Sequence, residues 1–455
     1  AATLALLPLC RNTLTWLRGT FVARVLPLDS AIDFHKLAAK TGFLFVLVHL
    51  IGHTFNFYNI STQPAADVGC LFRQVFWASD FLPHFGWWVF ETVTGLSGFL
   101  LTLVTIFIFT FSLQVVRRSS FAVFWAVHHL WVLFFALLFL HGAARLVQEP
   151  FFYYFALFPL TLLTVDKLIS LSRSHHDLNV QEAILLPSGV LCLQIDKPPG
   201  FEAMQSGQWL RLKCAAVSKY EWHPFTISSA PQENFVSVHI RSAGPWTTKL
   251  RQVYADAKSR NGDLPTVQLE GPYGEIHQEW LNSSVAVFVG GGIGVTPYAS
   301  ILQDLAWRYQ NNQHVALRHI HFIWVTRTQK EYEWMVELIR EVQDVIPDDV
   351  LTVDIFITQG KKNFDLRTSL MFMFERNHVE GTNVSLLTGL RASTNFSRPN
   401  FESILPKLRN KFSPLPISIF TCGPPPLAAA VENGTRTTNL MEDTTVPLRH
   451  HYVSF

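Results

Sequence analysis

His35 and His49 stand 14 residues apart in one apolar stretch, and His128 and His141 stand 13 apart in another. Histidines inside apolar, membrane-length segments are costly and rare, so each is a candidate functional group. Fourteen helical residues return to nearly the same face, about 21 Å along the axis. Two helices carrying such pairs can clamp two hemes, one above the other, with one imidazole from each helix on each iron. Stacked hemes form an electron wire across a bilayer. The second spacing fits less well, because 13 residues leave about 140° between His128 and His141 on an ideal helix. Starting from His129 leaves about 120° on the other side. A π-bulge or a skewed heme would absorb the mismatch, and spacing alone does not choose between His128 and His129. The bland alternative for any one of these rings is a satisfied polar group in a helix bundle.

The elements that must position these rings are legible in the composition. The chain has 455 residues, enough for about three domains. Its net charge of +2 argues against an electrostatic nucleic-acid binder. It is 49% hydrophobic with 38 Phe, and the apolar residues crowd before residue 172. Four stretches there reach bilayer length: Leu37–Tyr58, Trp87–Leu113, Phe121–Gly142 and Phe151–Leu171. Thr3–Leu17 is apolar but too short to cross, and it lacks a signal peptide's charged start and cleavage site. It is expected to be the tail of a span that begins upstream. Arg11, Arg18, Arg24, Lys36, Lys40, Arg117, Arg118, Lys167 and Arg173 flank one set of span ends, whereas the alternate loops hold Arg73 and Arg145. Positive-inside then places everything after Arg173 in the cytoplasm, His35 and His128 toward it, and His49 and His141 toward the outside. Cys10, Cys70, Cys192, Cys214 and Cys422 show no paired spacing, which fits a reducing compartment and no zinc site. Asn59–Ile60–Ser61 is a glycosylation sequon close to the outer bilayer surface.

From about Leu178 the pattern changes. Short alternating segments at Ala183–Leu186, Val190–Ile195, Trp209–Cys214, Phe235–Ile240 and Val267–Leu269 predict a small antiparallel barrel. Strands and helices then alternate: Val285–Val289, Tyr298–Tyr309, Ile320–Thr326, Lys330–Val345, Leu351–Ile357 and Ile417–Phe420. This predicts a parallel α/β sheet. Gly290–Pro297 joins the first of those strands to its helix, where glycines admit a pyrophosphate and the helix N-terminus stabilises its charge. His223–Ser229 ends a barrel strand and combines a ring, hydroxyls and backbone donors suited to a flavin edge and its pyrophosphate. Arg241 can offer a guanidinium fork to phosphate, with a plain surface arginine as the alternative.

Together with Leu9–Asn12, Phe34–Lys36, Gly244–Thr247, Gly271–Gly274, Trp324–Arg327, Asp365–Thr368, Thr388–Arg391, Arg398–Asn400 and Thr421–Pro424, these motifs cover essentially the whole chain. The chain resembles the NADPH oxidase family of transmembrane flavocytochromes, and within it the C-terminal catalytic region of dual oxidases. The resemblance implies three regions: a heme-binding transmembrane domain over 1–173, an FAD-binding barrel over 178–277 and an NADPH-binding α/β domain over 278–455. The last two together are similar to ferredoxin-NADP reductase. It implies two b-type hemes, with His35 and His128 on the inner iron and His49 and His141 on the outer. His53 resembles a further histidine beside the oxygen site, against the alternative of a polar residue at the membrane exit. His223, Pro224, Phe225, Thr226 and Ser229 resemble the flavin strand, and Arg241, Trp246 and Thr247 the flavin phosphate group. Gly291, Gly292, Gly294, Thr296 and Pro297 resemble the dinucleotide loop, and Arg327 and Arg398 the partners of the 2′-phosphate. Cys422, Gly423 and Pro424 resemble the nicotinamide-side turn, with Cys422 as a strand-end packing residue the alternative. Phe455 resembles the aromatic that covers the flavin ring.

The implied activity moves electrons from NADPH through FAD and two hemes to O₂ outside, giving superoxide or hydrogen peroxide. Membrane lipid and a maturation or regulatory protein are the implied partners, and calcium is expected to act only through upstream sequence. A metalloreductase of the same superfamily needs the same ladder. Asp67, Asp80 and Glu149 are few carboxylates for docking a metal on the outer loops. A non-catalytic scaffold or proton channel would need neither the glycine loop nor the flavin strand.

Overall fold

The computed structural model describes residues 2–71, 83–144, 151–173, 177–274, 276–313, 315–327, 333–358, 366, 370, 373, 384, 390–441 and 446–454. The chain divides into two compact units, Ala1–Leu14 with Phe21–Leu168, and Thr15–Thr20 with Ile169–Phe455.

The first unit is helical. Four of its helices have the length and apolarity to cross a membrane: α1 (Ala31–Ser61), α2 (Val93–Ser112), α3 (Phe121–Ala143) and α4 (Phe152–Arg173). Their apolar side chains are largely exposed, Phe45, Ile106 and Phe155 among them, as lipid-facing surfaces are. Two expectations change here. The stretch expected as one span over Trp87–Leu113 is a short helix, Phe85–Phe90, followed by α2. Thr92 makes the break: its hydroxyl accepts from Gly95 N at 3.0 Å and donates to the Trp88 carbonyl at 2.7 Å. Gly95 is required there, because a Cβ would lie 2.0 Å from the Trp88 carbonyl oxygen. The π-bulge weighed for α3 is a tightened turn instead. The helix stops at His128 and resumes at Trp131, with Leu130 N on Val127 O and Val132 N on His129 O. These are i→i+3 bonds, which overwind a helix where a π-bulge would underwind it.

The second unit opens with two three-stranded antiparallel sheets. One pairs β1 (Val180–Leu186), β2 (Val190–Asp196) and β5 (Phe235–Arg241); the other pairs β3 (Trp209–Lys213), β4 (His223–Thr226) and β6 (Gln268–Tyr273). Bridges Leu178↔Val267 and Ile227↔Val238 join them around a core that includes Leu191, Leu193, Leu210 and Val238. Helix α5 (Pro245–Ser259) packs Leu250 and Tyr254 into this core.

A six-stranded parallel sheet follows, in the order β10-β9-β8-β7-β11-β12. Its strands are β7 (Val285–Gly291), β8 (His319–Thr326), β9 (Leu351–Ile357), β10 (Ala392–Asn395), β11 (Ile417–Gly423) and β12 (Arg449–Ser454). Helices α6 (Thr296–Gln310), α7 (Val336–Val345), α8 (Phe401–Phe412) and α9 (Pro425–Asn439) accompany it. Phe288, Phe322 and Ile355 belong to one buried cluster and Val287, Ile323 and Ile419 to another, as expected for a sheet covered on both faces. The chain leaves β7 toward β8 and returns on its other side at β11. The crevice for a ligand in such a sheet opens at that switch point, beyond the carboxyl ends of β7 and β11.

Candidate functional site

In the helical unit four histidine rings lie in two facing pairs. The ring centroids of His35 and His128 are 6.2 Å apart, and those of His49 and His141 are 6.1 Å apart. Two imidazoles on opposite sides of one metal, with bonds of about 2 Å and about 1 Å from nitrogen to ring centre, give a separation of about 6 Å. The outer nitrogens are aimed by what the inner ones bind. His35 Nδ1 lies 2.7 Å from the Ala5 carbonyl, and His141 Nδ1 2.9 Å from the Thr94 carbonyl. Ser97 Oγ is 3.2 Å from His141 Nδ1, and Ser112 Oγ is 3.4 Å from His128 Nδ1. A carbonyl on Nδ1 fixes the proton there and leaves Nε2 as the metal-binding lone pair. Gly98 makes room for the His141 ring, since a Cβ would meet its Cε1 at 3.0 Å.

His129 is turned away: its Nδ1 bonds the Trp125 carbonyl at 2.7 Å on its own helix, and its ring packs on Trp125. The broken α3 thus presents His128, not His129, to His35. Phe43 of α1, which falls between His35 and His49 in sequence, stacks on Phe109 of α2 at 4.0 Å. His53 lies one turn beyond His49, with its ring 4.3 Å from that of His49. Among the described residues no three His, Cys, Asp or Glu side chains converge to hold a bare ion. Paired imidazoles alone suit a metal whose equatorial positions a macrocycle fills, so the donor set fits heme. The residues behind the paired histidines were not marked from sequence. Ser97 and Ser112 could have been found, because they repeat at 15 residues along α2, close to the ligand spacing.

In the second unit, His223 stacks on Trp246 at 4.1 Å and its Nε2 meets Glu221 at 3.1 Å, while Phe225 lies 6.0 Å from the same indole. Pro224 is exposed and Thr226 buried. Ser229 is also buried; its hydroxyl accepts from Ser237 N, and its carbonyl accepts from Ser300. Thr247 caps α5, its hydroxyl accepting from Ala243 N and Gly244 N. Arg241 ends β5, its Nη1 3.7 Å from where a Gly292 Cβ would stand.

The glycine loop Gly290–Pro297 is built by close approach. Gly292 has φ +58° and its carbonyl accepts from Trp324 Nε1. Gly291 faces Pro424, and Gly294 faces the Cys422 carbonyl and Gly423. Thr296 and Pro297 form the first turn of α6, where a proline sacrifices no hydrogen bond. The Cys422 side chain is fully buried in the core of the sheet, in keeping with its packing alternative. Arg327 follows β8, and Arg398 lies between β10 and α8; both are exposed. Phe455, Arg73, Arg145, Asp80, Glu149, Asp365 and Thr388 lie outside the described residues.

His239 was not marked from sequence. Its Nδ1 is 2.7 Å from Ser228 Oγ, and its ring lies 4.4 Å from that of Trp334. Burial pushes its pKa down to about 4. The folded ring therefore stays neutral where the unfolded one takes up a proton. Its contribution is fully present above about pH 6.5 and is lost as pH falls toward 4, by about 3 kcal/mol in all. His239→Gln is expected to shrink the drop in melting temperature between pH 7 and pH 5. An equal drop in the variant would mean that other groups carry the acid sensitivity.

Three family models match the chain in succession. The family model "Ferric reductase like transmembrane component" matches residues 1–139, "FAD-binding domain" matches 175–277 and "Ferric reductase NAD binding domain" matches 283–436. The chain is 44% identical to dual oxidase 1 of Sus scrofa and 43% identical to dual oxidase 2 of Homo sapiens, each over 454 residues, 99% of this chain and 29% of the relative. It is 41% identical to dual oxidase of Drosophila melanogaster over 431 residues, 94% of this chain and 28% of that one. The chain thus spans under a third of the length of these relatives.

Proposed function

The chain belongs to the NADPH oxidase family, and from that premise we propose that it is a transmembrane NADPH oxidase, passing electrons from NADPH through FAD and two b-type hemes to O₂, with superoxide or hydrogen peroxide as product. The observation that carries this reading is the two imidazole pairs at 6.2 and 6.1 Å on membrane-length helices. The division proposed is a heme domain over 1–173, a flavin barrel over 178–277 and a nucleotide domain over 278–455. The basic residues beside the span ends support a cytoplasmic flavin and nucleotide unit in a multi-pass membrane protein. Membrane lipid and a maturation or regulatory protein are the proposed partners.

Bound at these sites, flavin would convert a two-electron donor into single electrons, and the hemes would conduct them. The protein's part is placement. His35, His128, His49 and His141 hold their nitrogens along two axes, and backbone carbonyls fix the tautomer of His35 and His141. Phe43 and Phe109 pack α1 against α2 with a stacked apolar contact. Gly291, Gly292 and Gly294 let the backbone approach a pyrophosphate, and the N-terminus of α6 stabilises its charge. Arg327 and Arg398 supply the 2′-phosphate contacts, and His53 stands beside the outer ligand for O₂.

The test is a dithionite-reduced spectrum together with NADPH-driven oxygen uptake, with superoxide and peroxide assayed separately. Low-spin b-type bands with NADPH-dependent uptake are expected. Absence of the bands overturns the reading in favour of a scaffold. Reduction of ferric citrate without oxygen uptake overturns it in favour of a metalloreductase.

Replacing Arg327 and Arg398 together by alanine removes charged hydrogen bonds worth about 1.5–3 kcal/mol each. KM for NADPH should rise at least about tenfold while KM for NADH changes little. An equal rise for both nucleotides would mean that these arginines serve the fold.

A further inference from the structure

Helix α6 carries the dinucleotide loop at its N-terminus and a polar stripe further along. Ser300, Asp304 and Arg308 recur every four residues, so they share one face. That face meets the flavin barrel, not solvent: Ser300 and Asp304 are each 1% exposed. Ser300 Oγ donates to the Ser229 carbonyl at 2.7 Å. Asp304 accepts from Ser206 Oγ at 2.7 Å through one oxygen, and from Gln232 Nε2 at 2.7 Å and Arg308 Nε at 3.0 Å through the other. Trp280 Nε1 adds a bond to Ser206 Oγ at 3.1 Å. A buried carboxylate is costly unless its lone pairs are filled, and here two of its three donors come from barrel loops.

One of those loops runs from the flavin strand through Ser229 to Gln232. The same helix therefore holds the nucleotide's phosphates at one end and grips the flavin strand's continuation along its side. We propose that Asp304 is a positioning residue for hydride transfer: by clamping the Ser206 and Gln232 loops onto α6, it sets the distance between nicotinamide and flavin. This rests on the proposed flavin and NADPH sites. The step it serves moves a hydride, one proton with two electrons, from the nicotinamide ring to the flavin, leaving NADP⁺. Asp304 touches neither ring. It acts through the relative placement of the two lobes, where a displacement of about 1 Å costs about 100-fold in rate.

The experiment uses the full chain in detergent and has two readouts. Anaerobic stopped-flow absorbance gives the rate of flavin bleaching per bound flavin at saturating NADPH. Hydrogen–deuterium exchange on flavin-free protein reports the Ser206 and Ser229–Gln232 backbone. Asp304→Ala is expected to slow bleaching at least about tenfold at unchanged NADPH affinity, and to raise exchange in both loops. Asp304→Asn keeps the shape and two acceptor bonds and should restore the rate to within about threefold. If Asp304→Ala does not fold, Ser206→Ala decides, with a smaller slowing expected in the same readouts.

A bleaching rate per flavin within twofold of wild type in the alanine variant that folds, or unchanged exchange in both loops, overturns the proposal. So does a loss confined to melting temperature and flavin content, which is what a merely structural role gives. Wild-type protein that binds flavin but is not bleached by NADPH overturns the parent reading, and this one with it.

Discussion

His141→Ala is expected to halve the heme bound per chain and to reduce NADPH-driven oxygen uptake to background. His141 faces His49 at 6.1 Å, and its nitrogen is aimed by the Thr94 carbonyl and Ser97. Without the ring, His49 is left as a single ligand on that axis. The His35–His128 pair has its own supports in Ala5 and Ser112, so one heme should remain. Reduction of a soluble dye by NADPH should persist, because the flavin and nucleotide sites lie in the other unit. His129→Ala is the matched control, since its ring is bonded back to its own helix and should leave heme content unchanged. Ser97→Ala should weaken outer-heme retention by about tenfold, the low end for removing a group that orients a ligand. The measurements are pyridine hemochrome stoichiometry and oxygen uptake. Full heme content in His141→Ala would sink the ligand assignment.

Gly294→Ala is expected to abolish NADPH-dependent flavin reduction, by at least about 100-fold, with flavin and heme content retained. The added Cβ would stand 2.5 Å from the Cys422 carbonyl oxygen, 2.9 Å from its carbonyl carbon and 3.1 Å from Gly423 Cα. All three are backbone atoms of β11, which is paired in register with β7 from Ile417 to Cys422, so no side chain can swing aside. Relief requires prising the loop from β11 at the switch point, where the nucleotide is proposed to bind. Gly292→Ala is the instructive contrast. Its nearest neighbour is the movable end of Arg241 at 3.7 Å, so the cost is the positive φ alone, about 1–2 kcal/mol. Dye reduction and NADP⁺ binding separate the two. Equal, mild effects would mean that the loop is plastic and the close approach unimportant.

The chemistry was more legible in the sequence than the packing. The four histidines announced themselves because an imidazole in an apolar segment has few structural excuses, and Gly290–Pro297 because several glycines in a strand–helix junction have few others. The breaks in the helices were hidden. His128–Trp131 contains neither Gly nor Pro, and Glu91, Thr92 and Thr94 are diluted by the apolar residues on either side of them within a span-length stretch, so hydropathy reads both as continuous. Strands β10 and β12 and helices α5, α8 and α9 were not marked. Ala392–Asn395 has no apolar alternation, and Arg449–Ser454 is an edge strand of mostly polar residues. The Asp304 latch was invisible for a different reason. Its partners, Ser206 and Gln232, are 98 and 72 residues away, and only the folded chain brings them together.

The carbonyls behind His35 and His141 have an evolutionary consequence. In each pair, one ring takes its orientation from a main-chain oxygen, that of Ala5 or of Thr94. A substitution at either position changes the side chain and leaves that acceptor where it is. The aim of those two rings is thus insulated from point mutation at the residues that set it, and drift can act there on neighbouring packing without turning the ligand. His128 has no such insulation, because its Nδ1 contact is the hydroxyl of Ser112, which a single codon change deletes. The genetic fragility is thus uneven, greater at His128 than at His35 and His141.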